Sequence, residues 1–231
     1  RTAKKPFKAV LPHSVSNNIG IINFDTDDIK IGSKTYTTAE FCVYIASIIA
    51  GTALNESVTG KVISEINSIT ESLTPDADVD AGKLILINDG EQVEIARGVN
   101  SLTTVGTNQT EDMKSIKIVE GMDLIAEDIR TTFKENYIGR SNSIENKELF
   151  IAAVNQYFET LTKEGVLYDG YDHYAEIDIE AQREYLASKS VDVTDMSDVA
   201  IKQANTGTFM FMAAHIQMQN AAEDLKFVVN M

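Results

Sequence analysis

The three histidines, His13, His173 and His215, are the side chains best suited to proton transfer or metal binding near neutral pH. They stand far apart, and none sits in an H-E-x-x-H or comparable ligand spacing. The run DADVDAG, residues 76–82, sets acids at alternate positions as a calcium loop does. Such a loop needs Gly at its sixth place and Glu at its twelfth, where this chain has Ala81 and Ile87, so a solvated helix start reads better. Asp25, Asp27 and Asp28 read as a polar loop between strands, with a loose cation site as the alternative. GSKT, residues 32–35, looks like the end of a phosphate-binding loop, but Ser33 separates the Gly from the Lys that must follow it directly. There is no G-x-S-x-G elbow or G-x-G-x-x-G fingerprint, and nothing around the Ser, His and Asp residues marks a triad. Cys42, the one cysteine, lies inside FCVYIASIIAG and reads as core packing rather than as a nucleophile. Two N-x-S/T sites, at Asn55 and Asn108, would matter only in a secreted protein carrying a signal. Neither a catalytic group nor a cofactor or metal site emerges.

The elements that would position any site are those of a globular chain. It has 231 residues, 43% of them hydrophobic, enough for a substantial core in one or two domains. With 20 Lys and Arg against 35 Asp and Glu, the net charge of -15 argues against a nucleic-acid backbone as partner. The most hydrophobic window, between Glu40 and Gly51, falls well short of the roughly 20 residues that cross a bilayer, so no membrane insertion is expected. The opening RTAKKPFKAV, without initiator Met or signal-type apolar run, predicts a start inside a longer protein.

Residues 1–105 alternate strand and helix signals. Strands are predicted at 8–11 and 20–24, and the Thr37-Thr38-Ala39-Glu40 capping box opens a helix running to Gly51. Residues 58–69 fit neither period. Residues 83–87 and 92–96, joined through Asn88-Asp89-Gly90, predict a hairpin. From about 106, after the polar stretch GTNQTEDM, helices dominate. Ile116 and Ile118 suggest a strand, and Met122, Ile125, Ile129 and Phe133 then line a long helix ending near Gly139. Ser143 caps a second, with Leu149, Ala152, Ala153, Tyr157 and Leu161 on one face and Gly165 at its end. A third spans 178–188 and a weaker turn 196–203. The fold class is α+β: a mixed α/β first part, 1–105, and a helix-rich second part, 106–231, with terminal antiparallel strands.

Those terminal strands carry the functional signal. Residues 208–217, including Phe209 and Phe211, form a nearly continuous apolar run, and Leu225, Phe227, Val229 and Met231 recur at every second position. Strands so apolar require a docking partner, in the same chain or another.

Several segments in order, AGTALNESVTGKVI (50–63), GKLILINDGEQVEIARGVNSLTT (82–104), DLIAEDIRTTFKENYIGR (123–140), NKELFIAAVNQYFETLTKEGVL (146–167) and AAEDLKFVVNM at the end, resemble the contractile tail sheath proteins of myophages, prophages and phage-tail-like bacteriocins. The resemblance spans essentially the whole chain, as the C-terminal two-thirds or so of a sheath subunit, with 1–105 closing its mixed α/β domain and 106–231 forming its C-terminal domain. Residues 177–208 depart from the pattern, being more helical and polar than the shorter, strand-rich link of the family. The resemblance implies a structural, non-enzymatic subunit with no cofactor. It implies a helical polymer of copies of itself, linked by strand addition through Phe209, Phe211, Leu225, Phe227, Val229 and Met231, with part of the 208–217 run pairing at home and offering its edge to a neighbour. Further implied partners are the tail tube, baseplate and tail-terminator proteins, in a virion or phage-tail-like particle assembled in the bacterial cytoplasm and released by lysis. Contraction would draw on a metastable extended lattice rather than on nucleotide hydrolysis. Two other readings stand beside it: a different strand-donating surface assembly, and an α/β hydrolase-like enzyme whose nucleophile lies in a preceding part.

Overall fold

The structure, a computed structural model, describes residues 6–229. Packing divides the chain into two compact units, one comprising the residues up to Leu124 together with those from Asn220 onward, the other Ile125–Gln219. The chain is α+β throughout.

The first unit runs β1 (Ala9–Pro12), β2 (Ile21–Phe24), β3 (Asp27–Ile31), β4 (Lys34–Tyr36), α1 (Thr38–Gly51), β5 (Ser68–Thr70), α2 (Pro75–Asp80), β6 (Lys83–Leu84), β7 (Leu86–Asn88), β8 (Val93–Ile95) and the start of α3 (Ile116–Asn136). Strands β1, β2 and β6 form a parallel sheet in that order, β4-β3-β5 an antiparallel one, and β7 and β8 a hairpin. Helix α1 begins where the sequence predicts. The Thr37 side chain accepts from the Glu40 amide and Glu40 reaches back to the Thr37 N–H, satisfying two donors that a helix start leaves open. Its buried face, Phe41, Cys42, Ile45 and Ile49, joins Ile22, Phe24, Ile29, Leu84, Leu86 and Ile95 in one core, each large side chain adding about 1.5–3 kcal/mol.

Three expectations are corrected here. Residues 83–87 are not one strand: the chain turns at Ile85, so that β6 pairs with β2 while β7 pairs with β8. Asp27 and Asp28 open β3 rather than lying in a loop. Ile116 and Ile118 are not a strand but the first turn of α3, where Ile116, Lys117, Ile118 and Val119 are all buried. A turn buried on every side shows no helical period in so short a window.

The second unit holds the rest of α3, α4 (Ile144–Lys163), β9 (Tyr174–Ile177), α5 (Ile179–Ser188), α6 (Asp198–Gln203) and β10 (Met212–His215), with β10 antiparallel to β9. Ser143, Asp178 and Ser197 cap α4, α5 and α6 through their side chains, and Gly165 takes the left-handed φ of +73° that ends α4. The buried face of α4 is Lys147, Phe150, Val154, Phe158 and Leu161; Phe150, Val154 and Phe158 each lie one position on from the expected Leu149, Ala153 and Tyr157, and Leu149 is exposed. The aromatic side chains decide it: Phe150 packs edge-on against Phe133 and Tyr137 of the preceding segment, at ring distances of 5.6 and 4.9 Å.

Candidate functional site

The side chains flagged for chemistry are absorbed by structure. His13, at the end of β1, hydrogen-bonds Asp25 at the end of β2, and Lys83 bridges Asp25 and Asp78 at 2.7 and 2.8 Å. Burial pushes the Asp25 carboxyl up, but the hydrogen bonds from Lys83 and His13 hold it below the usual carboxylate range. His173 donates to the Tyr168 carbonyl at 2.8 Å, and His215 stacks on Tyr174, 4.5 Å between ring centres. The Cys42 thiol is buried, its pKa pushed up by that burial, and it donates to the Thr38 carbonyl. Gly32 and Ser33 make the turn between β3 and β4 instead of a phosphate loop. Among the described residues no group of His, Cys, Asp and Glu could hold a metal, and no helix is long and apolar enough to cross a membrane.

What the structure leaves unfilled is backbone. In the β9–β10 ladder Asp178 N–H donates to the Phe211 carbonyl, so residues 211, 213 and 215 face their partners 178, 176 and 174 in hydrogen-bonded pairs. The amides of Met212 and Ala214 therefore point away from β9. Beyond β10 the run stays extended: Tyr168 N–H donates to the Gln217 carbonyl and Gln219 N–H to Val166, with Leu167 opposite Met218. Met218 turns its backbone outward with the same parity, which makes 212–218 one edge that is open among the described residues. The other side of the sheet is closed at Ala175, whose outward N–H donates to Asn155 Oδ1 at 2.7 Å.

The predicted site residues fall into two groups. Phe209 and Phe211 precede β10 and pack on Tyr185 of the same unit, at ring distances of 5.5 and 5.3 Å, with Asn142 Nδ2 donating to the Gly207 and Phe209 carbonyls. Leu225, Phe227 and Val229 are 87%, 79% and 69% exposed, and residues 225–229 pair with no strand among the described residues. The strand expected there is not formed by 225–229 among the described residues. Met231 lies outside the described residues.

Ahead of this exposed arm is an anchor that sequence reasoning missed. Glu223 accepts from Ser57 Oγ at 2.7 Å, Thr59 Oγ1 at 2.6 Å and Arg97 at 2.9 Å, while Asp224 takes the other Arg97 nitrogen at 2.6 Å. Nothing local advertises it, because Arg97 and Glu223 are 126 positions apart. The acid pair just before the apolar alternation is its one visible trace.

Comparison with known proteins gives these features a context. Residues 108–231 match the family described as the phage tail sheath C-terminal domain. The tail sheath protein of Clostridium phage phiCD119 is 37% identical over 227 residues, covering 97% of this chain; the chain spans 63% of that protein's length. The crystal structure of a sheath tail protein from Desulfitobacterium hafniense superposes with a TM-score of 0.65 at 18% identity, over 74% of this chain and 42% of that one. The helical sheath of the anti-feeding prophage in its contracted state gives 0.64 at 10% identity, over 96% and 60%. These structures share the fold. With the family match extending over more than half of its residues, the chain belongs to the phage tail sheath family.

Proposed function

We propose that the chain is a structural, non-enzymatic subunit of a contractile tail sheath, whose copies are joined by strand addition. The observation that carries this reading is a donor and an acceptor in one chain. The apolar residues 225–229 have no strand partner among the described residues, and the 212–218 edge has backbone groups to offer. The arm of one copy lies along that edge in another, its amides completing the ladder and Leu225, Phe227, Val229 and Met231 filling pockets at alternate positions. Phe209 and Phe211, already packed on Tyr185, brace the receiving strand. Residues 1–105 and 106–231 correspond to the end of the mixed α/β domain and to the sheath C-terminal domain.

The lattice surrounds a tail tube, ends on baseplate and terminator proteins, and contracts by repacking rigid subunits whose flexible links stay joined, driving the tube through a cell envelope. The contracted-state sheath that shares this fold supports that reading. The particle is a virion or phage-tail-like body, assembled in the host cytoplasm and released by lysis. Negative-stain electron microscopy over a concentration series tests the proposal: tubes or stacked rings are expected from the intact chain, and none from one cut after Asp224.

A further inference from the structure

We infer that Ser57, Thr59 and Arg97 form a carboxylate socket that seats Glu223 and fixes the root of the C-terminal arm. The joint between copies then starts at Leu225, and tension on the arm enters the first unit through Arg97. The inference rests on the strand-addition reading for what the arm does, and on its own geometry for where the arm is held.

Residues 220–224 form no helix or strand, Ala222 and Asp224 are exposed, and little apolar surface holds the segment down. Polar contacts must do so. Each hydroxyl of the socket is oriented by a backbone amide: Thr59 N–H donates to Ser57 Oγ and Gly98 N–H to Thr59 Oγ1, which directs the Thr59 proton at Glu223, while the single Ser57 proton is shared between Glu223 at 2.7 Å and Thr59 Oγ1 at 3.0 Å. The loop carrying them is tied to β8, with Gly60 N–H donating to the Ile95 carbonyl and Ile63 N–H to Val93, both at 2.8 Å. Gly98 lets the two pieces close: a Cβ there would come within 2.8 Å of a Val58 methyl and 3.2 Å of Ser57 Oγ. The side chain of Glu223 is only 17% exposed, so its three bonds are shielded from competition by water. A docking strand with a loose root would spread its pull over a wandering segment, whereas this root sets a fixed exit at Leu225.

The test uses the full chain with a glutamate-specific protease, at a dilution where it is monomeric, reading cleavage after Glu223 by mass spectrometry. Arg97→Met should speed that cleavage by about 10- to 100-fold, the effect on an opening equilibrium of losing the shielded bond to Glu223, the second bond, to the exposed Asp224, adding little. The variant's circular dichroism should stay native, and its yield of ordered polymer should fall although the arm is intact. Equal cleavage in the two proteins, or wild-type polymer from Arg97→Met, would overturn the inference. Should Arg97→Met not fold, Glu223→Gln, which keeps the shape and removes the charge, answers through polymer yield, with loss supporting the socket and wild-type yield refuting it. A chain cut after Asp224 keeps the socket filled, so tubes from that cut would defeat strand addition itself, separately from the socket.

Discussion

Two apolar stretches near the end of the chain are alike in composition and opposite in fate. In 208–219, β10 finds a register against β9, its extension reaches residues 166–168, and Phe211 settles on Tyr185. Residues 225–229, no less apolar, pair with no strand among the described residues and expose Leu225, Phe227 and Val229. Apolar alternation therefore specifies that a strand will be covered, not by which molecule. What separates the two is the supply of backbone left unpaired among the described residues: one stretch has a ladder on one side and an open edge on the other, and 225–229 has two open sides.

The sharpest way to break this contrast is to remove the second stretch. A chain ending at Asp224 should lose polymer altogether while its folding stability moves by less than about 0.5 kcal/mol, as for surface changes in general. Ending at Asn220 should also empty the Glu223 socket and cost the first unit about 1–3 kcal/mol for stranded donors; thermal melts of the two truncations distinguish these effects. Proline separates the two sides of β10. Ala214→Pro removes an outward N–H and should abolish assembly with the fold intact, whereas Ala213→Pro removes an in-chain bond and should destabilise the second unit by about 1–3 kcal/mol. A smaller effect is expected from Phe227→Asp: forfeiting burial of one large side chain, about 1.5–3 kcal/mol, should raise the concentration needed for assembly by about 10- to 100-fold in sedimentation assays, without changing the melt.

The smallest effect lies in the first unit, away from either stretch. The folded-state pKa of Asp25 is depressed, so its pairing with Lys83 and His13 stabilises above the ordinary value of 3.8 and is lost as pH falls through the lower folded value. Lys83 is raised by the hydrogen bonds it donates to Asp25 and Asp78, so the same pairing persists below 10.5 and fades only as pH rises beyond it. The difference in melting temperature between wild type and Lys83→Met should accordingly be present from pH 5 to 9 and vanish in acid once the pH has fallen through the lowered values of Asp25 and Asp78.

Local grammar was readable wherever one residue settles one conformation. The Thr37 capping box, the Ser143 cap, Gly165, and the Asn88-Asp89-Gly90 turn, in which Asp89 accepts from the amides of Glu91 and Gln92 and Gly90 holds φ of +102°, were all legible. The buried start of α3 was not, because Ile116 and Ile118 fit a strand period when the burial of Lys117 and Val119 is unknown. The face of α4 was misread by one position because Ala152 and Ala153 suit either side of a helix, and the choice belongs to Phe150 and Phe158 meeting their partners. The arm was visible as alternation. Its anchor was not, since an ion pair between Arg97 and Glu223 has no periodicity to betray it.

The most direct measurement mixes two crippled chains. One, cut after Asp224, keeps the β10 edge and has no arm; the other, Ala214→Pro, keeps the arm and has a blocked edge. Strand addition predicts that each remains monomeric alone and that the mixture gives a discrete one-to-one complex by light scattering. Tubes from either chain alone, or monomers in the mixture at concentrations where wild type assembles, would contradict it.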